Sequence, residues 1–203
     1  MSRDLVVTAA HCVVDPETKG LMSGPFIFYP GYTDHQGDVS SPVTYVWLGT
    51  NDPSTYRGAD WAILRLRDPL GNSTVWMGVR AVDLTEHLNS DRFYAAGYSS
   101  DFLNGDSASW EKGCAFTAFN SNRRFFLHNC DGSRGSSGGP IFDYDDVNQP
   151  GVSNHIVALQ VAEHRNGGEE SLLNVPYSES TANVAVPASA FMHTLRQILD
   201  AQE

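Results

Sequence analysis

The chain has 203 residues, 41% of them hydrophobic and 18% charged, and a formal net charge of −11 from 24 acidic and 13 basic residues. That balance suits a globular domain with a buried core and excludes a disordered segment. No Lys/Arg run exceeds Arg123–Arg124, so no basic stripe is available for nucleic-acid phosphates. No stretch of about eighteen apolar residues exists to cross a membrane as a helix.

Most segments are short, rich in β-branched and aromatic residues, and bounded by Gly, Pro, Asn, Asp or Ser. In chain order they predict strands at Leu5–Ala9, Pro25–Tyr29, Val43–Leu48, Trp61–Arg65, Phe93–Gly97, Cys114–Phe119, Arg124–His128, Pro140–Phe142, His155–Val161 and Asn183–Val186. Turn signals separate them at Pro30-Gly31, Asn51-Asp52-Pro53, Asn104-Gly105-Asp106 and Asn166-Gly167-Gly168. The tail differs. After Pro187, Phe191, Met192, Leu195, Ile198 and Leu199 recur at helical spacing, which predicts an amphipathic helix over Ala188–Gln202. The fold expectation is all-β, antiparallel sandwich or barrel, with a C-terminal helix. Residues 81–92 are the expected linker between two halves.

Three cysteines leave one thiol over. Cys114 and Cys130 flank two predicted strands and a turn, and a bridge between them would close a loop of about fifteen residues, worth roughly 3 kcal/mol in the chain-entropy model. Three buried, reduced thiols are the alternative.

Three motifs carry chemistry. In Gly135-Ser136-Ser137-Gly138-Gly139-Pro140 a serine sits among glycines. A nucleophilic hydroxyl needs a tight turn, with backbone N–H groups aimed at the point where an oxyanion forms. Gly135 and Ser137 would supply those N–H groups. In Val6-Val7-Thr8-Ala9-Ala10-His11-Cys12 an apolar strand runs through two alanines into a histidine. In Asp60-Trp61-Ala62-Ile63-Leu64 an aspartate opens an apolar strand, and a carboxylate buried there needs a partner. Taken singly, each has an ordinary reading: a flexible loop, a core histidine, a strand-start turn residue. Together they give the chain order His, Asp, Ser of the serine-peptidase triad.

Thr8-Ala9-Ala10-His11-Cys12, Asp60-Trp61-Ala62 and Gly135-Ser136-Ser137-Gly138-Gly139-Pro140 resemble the three signatures of trypsin-like (chymotrypsin-fold) serine peptidases. Ala96-Gly97-Tyr98, Cys114 and Leu127-His128-Asn129-Cys130-Asp131 resemble a bacterial branch that includes the glutamyl endopeptidases. The resemblance implies two antiparallel β-barrels with a C-terminal helix: a single peptidase domain divided at 1–85, 86–187 and 188–203. It implies His11, Asp60 and Ser137 as the catalytic triad, Gly135 and Ser137 as the oxyanion hole, and a Cys114–Cys130 disulfide. The implied activity is a serine endopeptidase working through an acyl-enzyme, without metal or other cofactor. A polypeptide is the expected substrate, a monomer the expected state, and secretion or the periplasm the expected location.

The chain departs from the family pattern in two places. Relatives carry about two strands before the segment matching Leu5–His11, so the first barrel is expected to be incomplete at its N-terminus, and Cys12 lacks its upstream partner. Ser136 stands where relatives activated by proteolysis have an aspartate, so the oxyanion hole is expected to be preformed. Specificity is open. Asp131 matches the floor of a pocket for basic side chains, whereas Gly132 and Gln160 stand where a glutamate-specific pocket has a hydroxyl residue and a histidine. His164 is the nearest other histidine. His128 and Trp61 read as structural. The competing readings are an inactive or non-catalytic binding protein of the same fold, a zinc site from His11, Cys12, His128 and Cys130, and a structural β-protein.

Overall fold

The computed structural model describes residues 2–34, 37–143, 154–163, 178 and 181–201. His164 lies outside the described residues. Among the described residues, two curled antiparallel sheets and one α-helix carry the fold, joined by loops and short 3₁₀ turns. The first sheet contains β1 (Leu5–Thr8), β2 (Ile27–Phe28), β3 (Ser41–Leu48) and β4 (Ala62–Leu66), in the order β1-β4-β3-β2. After β5 (Gly78–Val79) come β6 (Phe93–Gly97), β7 (Ser109–Cys114), β8 (Phe116–Asn120) and β9 (Phe125–His128), then β10 (Pro140–Asp143), β11 (His155–Ala162) and β12 (Asn183–Pro187). These form the second sheet in the order β7-β6-β10-β11-β12-β9-β8, with β5 adding a short parallel pairing to β11. Thus β5, which precedes residue 85, hydrogen-bonds into the second sheet.

Strand alternation distributes side chains between cores. Leu5 and Val7 of β1 and Ile63 of β4 point into the contact between the two sheets, where they meet Ile156, Leu159 and Val161 of β11 and Val184 and Val186 of β12. The opposite face of β4, through Ala62 and Leu64, packs with Ala10, Val13 and Val14 in the first sheet's own core. Phe93, Phe116, Phe126 and Ile141 fill the second core, the Phe93 and Phe116 rings meeting edge-on at 4.8 Å. A near-continuous buried run, Ile156–Val161, makes β11 a central strand covered on both faces, and its one polar member, Gln160, is 4% exposed.

The helix begins later than the periodicity predicts. Ala188–Ala190 form a 3₁₀ turn after Pro187, and α1 covers Met192–Asp200. Phe191, at φ −117°, interrupts the two. Its ring is fully buried and packs at 6.1 Å from Trp61, so the helix and the aspartate-bearing segment share one core. Trp61 is thereby structural. The predicted strand Cys114–Phe119 is two strands: β7 ends at Cys114, β8 starts at Phe116, and β7 extends back to Ser109, a segment the sequence pattern left between elements.

Cys114 and Cys130 form a disulfide across the open end of the β8–β9 hairpin, and Cys12 is the free thiol. With Cys130 engaged, the four-residue zinc set is not available. His128 is fully buried beside Phe116, and burial lowers its pKa to about 3, so it packs as a neutral ring. Because the bridge limits the unfolded chain, Cys114→Ser with Cys130→Ser is expected to cost about 3 kcal/mol. Urea denaturation of the oxidised and doubly substituted proteins measures this; equal midpoints would contradict it.

Candidate active site

β1 delivers His11. Its strand ends at Thr8, and Ala9 and Ala10, both with no exposed surface, carry the chain into a single 3₁₀ turn at Ala10–Cys12. Side chains larger than methyl at these two positions would displace the turn from the core beneath it. Asp60 arrives on the strand antiparallel to β1, at the end of a 3₁₀ turn over Arg57–Ala59 and just before β4. Its carboxylate is 4% exposed, and both oxygens are used on one residue: Oδ1 accepts the His11 backbone N–H at 2.9 Å, and Oδ2 meets His11 Nδ1 at 2.8 Å. The buried carboxylate thus fixes the backbone, ring orientation and tautomer of the histidine, leaving Nε2 for another partner.

The same contact holds a proton on the ring. Hydrogen bonding to Asp60, with a smaller contribution from Cys12, raises the His11 pKa from 6.5 to about 10 against the opposing effect of burial. A group whose pKa rises on folding stabilises the fold fully below its unfolded value. The ion pair's contribution is therefore present below pH 6.5 and is lost as the pH climbs toward 10. Melting temperature should fall across that window in the parent protein by more than in Asp60→Asn; parallel curves would contradict the pairing.

The serine-bearing loop follows β9 and leads into β10. Gly138 has φ +81°, and a Cβ there would lie 2.2 Å from Thr8 Oγ1 and 3.0 Å from the Ala9 nitrogen. Only glycine lets the loop settle on the end of β1 this closely. On the other side, Gly135 has φ +100° and a Cβ would fall 2.5 Å from the Tyr98 carbonyl oxygen. Pinned at both ends, the loop sets the Ser137 carbonyl 3.7 Å from Cys12 Sγ, beside the turn that carries His11. Gly138 N–H donates to the Gln160 carbonyl at 2.7 Å and Gln160 N–H to the Gly139 carbonyl at 2.9 Å, tying the loop to β11. Among the described residues, the N–H groups of Gly135 and Ser137 donate to no protein acceptor. Both residues border one groove with Thr8 and Cys12.

A family profile described as a trypsin-like peptidase domain matches residues 1–148. The chain belongs to this family. It is thereby a serine-type peptidase of chymotrypsin-like fold. Among solved structures, it resembles a Glu endopeptidase determined in complex with MPD, at TM-score 0.72 and 21% identity over 98% of this chain and 82% of that one. It also resembles the protease Anisep from Arthrobacter nicotinovorans, at TM-score 0.67 and 19% identity over 94% and 82% of the two chains. A thermostable serine protease, AL20, from an extremophilic microorganism superposes at TM-score 0.68 with 15% identity over 95% and 82%. At these identities the likeness is one of fold. No curated protein matches the chain.

The specificity candidates adjoin the serine-bearing loop through Ser136, which borders both their cavity and the groove lined by Ser137. Asp131 and Gln160 line a cavity of about 230 Å³ together with Ser136. Gly132 is not among the lining residues but lies against Gln160: a Cβ there would meet the Gln160 amide at 2.6 Å. A bulge in the β11–β12 pairing falls between Gln160 and Ala162, which re-aims side chains at this point. The Ser136 hydroxyl donates to the Ser133 carbonyl at 2.6 Å and accepts from Gln160 Nε2 at 2.8 Å. Three further lining residues escape the sequence reading: Asp101, Trp110 and Glu111. Glu111 accepts the Asp131 backbone N–H. The available signal was the alternation of β7, in which Ser109 and Glu111 turn inward while Trp110 and Lys112 are exposed.

Proposed function

We propose that the protein is an endopeptidase that cuts polypeptides through a His11–Asp60–Ser137 triad and an acyl-enzyme intermediate. The observation that carries this reading is the two-point grip of buried Asp60 on His11, with the Ser137 backbone seated against the next residue, Cys12. In this mechanism Ser137 Oγ attacks the scissile carbonyl as His11 Nε2 takes its proton. Asp60 holds the ring and stabilises the imidazolium without itself accepting the proton. The unengaged N–H groups of Gly135 and Ser137 receive the developing oxyanion. His11 then protonates the departing amine, and water repeats the sequence in reverse to release the acid.

The domain reading goes with it: one peptidase unit, 1–85 and 86–187 as its halves, 188–203 as its closing helix. The Cys114–Cys130 bridge and family membership support a secreted or periplasmic setting, where disulfides persist. No helix among the described residues is long and apolar enough to cross a membrane.

An activated nitrophenyl ester tests the intermediate. Fast acylation and slow deacylation should release a burst of nitrophenolate equal to the enzyme concentration. A linear release with no burst, at saturating ester and with active cleavage, would exclude an accumulating acyl-enzyme. The pH profile tests His11. Only the neutral imidazole can accept the serine proton, so kcat/KM should rise with pH, with its midpoint displaced from 6.5 toward 10. A rising limb centred below 6.5 would contradict the Asp60 pairing.

A further inference from the structure

We propose that Asn183, at the start of β12, is a positioning residue for peptide cleavage: its side-chain amide clamps the root of the nucleophile loop and so sets where the N–H groups of Gly135 and Ser137 point. The inference rests on the peptidase reading and deepens it.

β9 ends at His128, and the chain leaves the sheet there for the serine-bearing loop. Covered carbonyls past that point have no ladder partner and need another donor. Asn183 is the residue of β12 that faces His128 in register, so it stands where the chain departs. Its Nδ2 donates to the Cys130 carbonyl at 3.0 Å and to the Gly132 carbonyl at 3.1 Å. Carbonyls only accept, so the NH₂ end of the amide faces the loop, one hydrogen to each. β12 lies between β11 and β9 in the second sheet, and Val184–Pro187 are buried. The clamp therefore stands on a fixed strand and not on another loop.

Position along the loop ties this clamp to the chemistry. The peptide unit joining Gly132 to Ser133 is held from both edges, its carbonyl by Asn183 and its N–H by Ser99 Oγ at 3.3 Å. The next carbonyl, that of Ser133, accepts the Ser136 N–H at 3.1 Å and the Ser136 hydroxyl at 2.6 Å. Gly135 lies inside the turn so closed, and Ser137 follows it directly. Each bond fixes the next, from a strand residue to the two N–H groups that would receive the oxyanion. Without the amide, the 132–133 peptide is free to rotate and carries the Ser133 carbonyl, and the turn built on it, with it. Oxyanion contacts strengthen in the transition state rather than in the bound substrate. Loosening the clamp is therefore expected in kcat and not in KM.

Asn183→Leu removes both donors at similar volume. On a peptide amide substrate it should lower kcat about a hundredfold, the scale of a small displacement between reacting groups, with KM nearly unchanged. Affinity for a peptidyl boronate, whose tetrahedral adduct on the serine occupies the oxyanion site, should fall in step with kcat. If Asn183→Leu melts early, Asn183→Asp, which keeps the shape and loses the donors, is measured below its own melting temperature and should give the same split. A merely structural role would lower the melting temperature while leaving kcat per folded molecule and boronate affinity intact. That result in both variants, or a loss confined to KM, would overturn the proposal. A parent protein without turnover would sink the peptidase reading and this inference with it, an outcome distinct from an active parent with unaffected variants.

Discussion

Ser137→Ala is expected to lower turnover about a million-fold while leaving the melting temperature unchanged. The size follows from the way triad members act as a unit: once the nucleophile is gone, the histidine and aspartate have nothing to activate, and only binding and oxyanion contacts remain. The unchanged stability follows from the setting. Ser137 is half-buried on a loop held by its neighbours, through Gly138 N–H to the Gln160 carbonyl and Gly139 N–H to the Ser136 carbonyl. Removing one hydroxyl leaves those bonds in place. Steady-state hydrolysis of a fluorogenic peptide, compared with thermal melting, separates the two effects. A loss of less than about a hundredfold would mean that Ser137 is not the nucleophile.

Asp60→Asn should cost about ten-thousand-fold in kcat, from the wrong tautomer held in an otherwise intact geometry. The amide can still accept the His11 backbone N–H through its oxygen, but its NH₂ group now faces Nδ1 and asks that nitrogen to be an acceptor. The ring proton then moves to Nε2, the atom that should receive the serine proton. The same substitution removes the carboxylate that lifts the His11 pKa toward 10, so the rising limb of the residual activity should shift to lower pH. A structural effect alone would lower the rate without moving that limb. An unmoved limb with reduced kcat would therefore reassign Asp60 to a packing role.

The strands that proved legible are those whose side chains alternate or run apolar over a complete element. Phe93–Gly97 and His155–Val161 stand where their patterns place them, within a residue. β7 was not legible. Ser109-Trp110-Glu111-Lys112 carries charge on both faces, because one face looks into an acidic cavity instead of an apolar core. Its identity as a strand depends on pairing with β6, which no local pattern encodes. The late start of α1 has a similar cause: burial of Phe191 against Trp61 fixes a non-helical φ at the point where the periodicity continues unbroken.

The site divides the same way. His11, Asp60 and the Gly-rich serine loop were readable because each combines a special residue with a local backbone demand: alanines before the imidazole, a carboxylate at a strand start, glycines where φ is positive. Glu111 was not, since it meets Asp131 across twenty positions of sequence. Gln160 was noticed by position, but its hydrogen-bonding role depends on Ser136 and Ser133, whose orientations only the folded loop fixes.

The account stands on one chemical property, a serine hydroxyl at position 137 made nucleophilic by the histidine that Asp60 holds. A fluorophosphonate reports it directly by intact mass and peptide mapping. One adduct per chain on Ser137, lost in Ser137→Ala and strongly slowed in His11→Ala, is the expected result. A folded chain that takes up no reagent, or takes it up on another residue at the same rate in both variants, would contradict it.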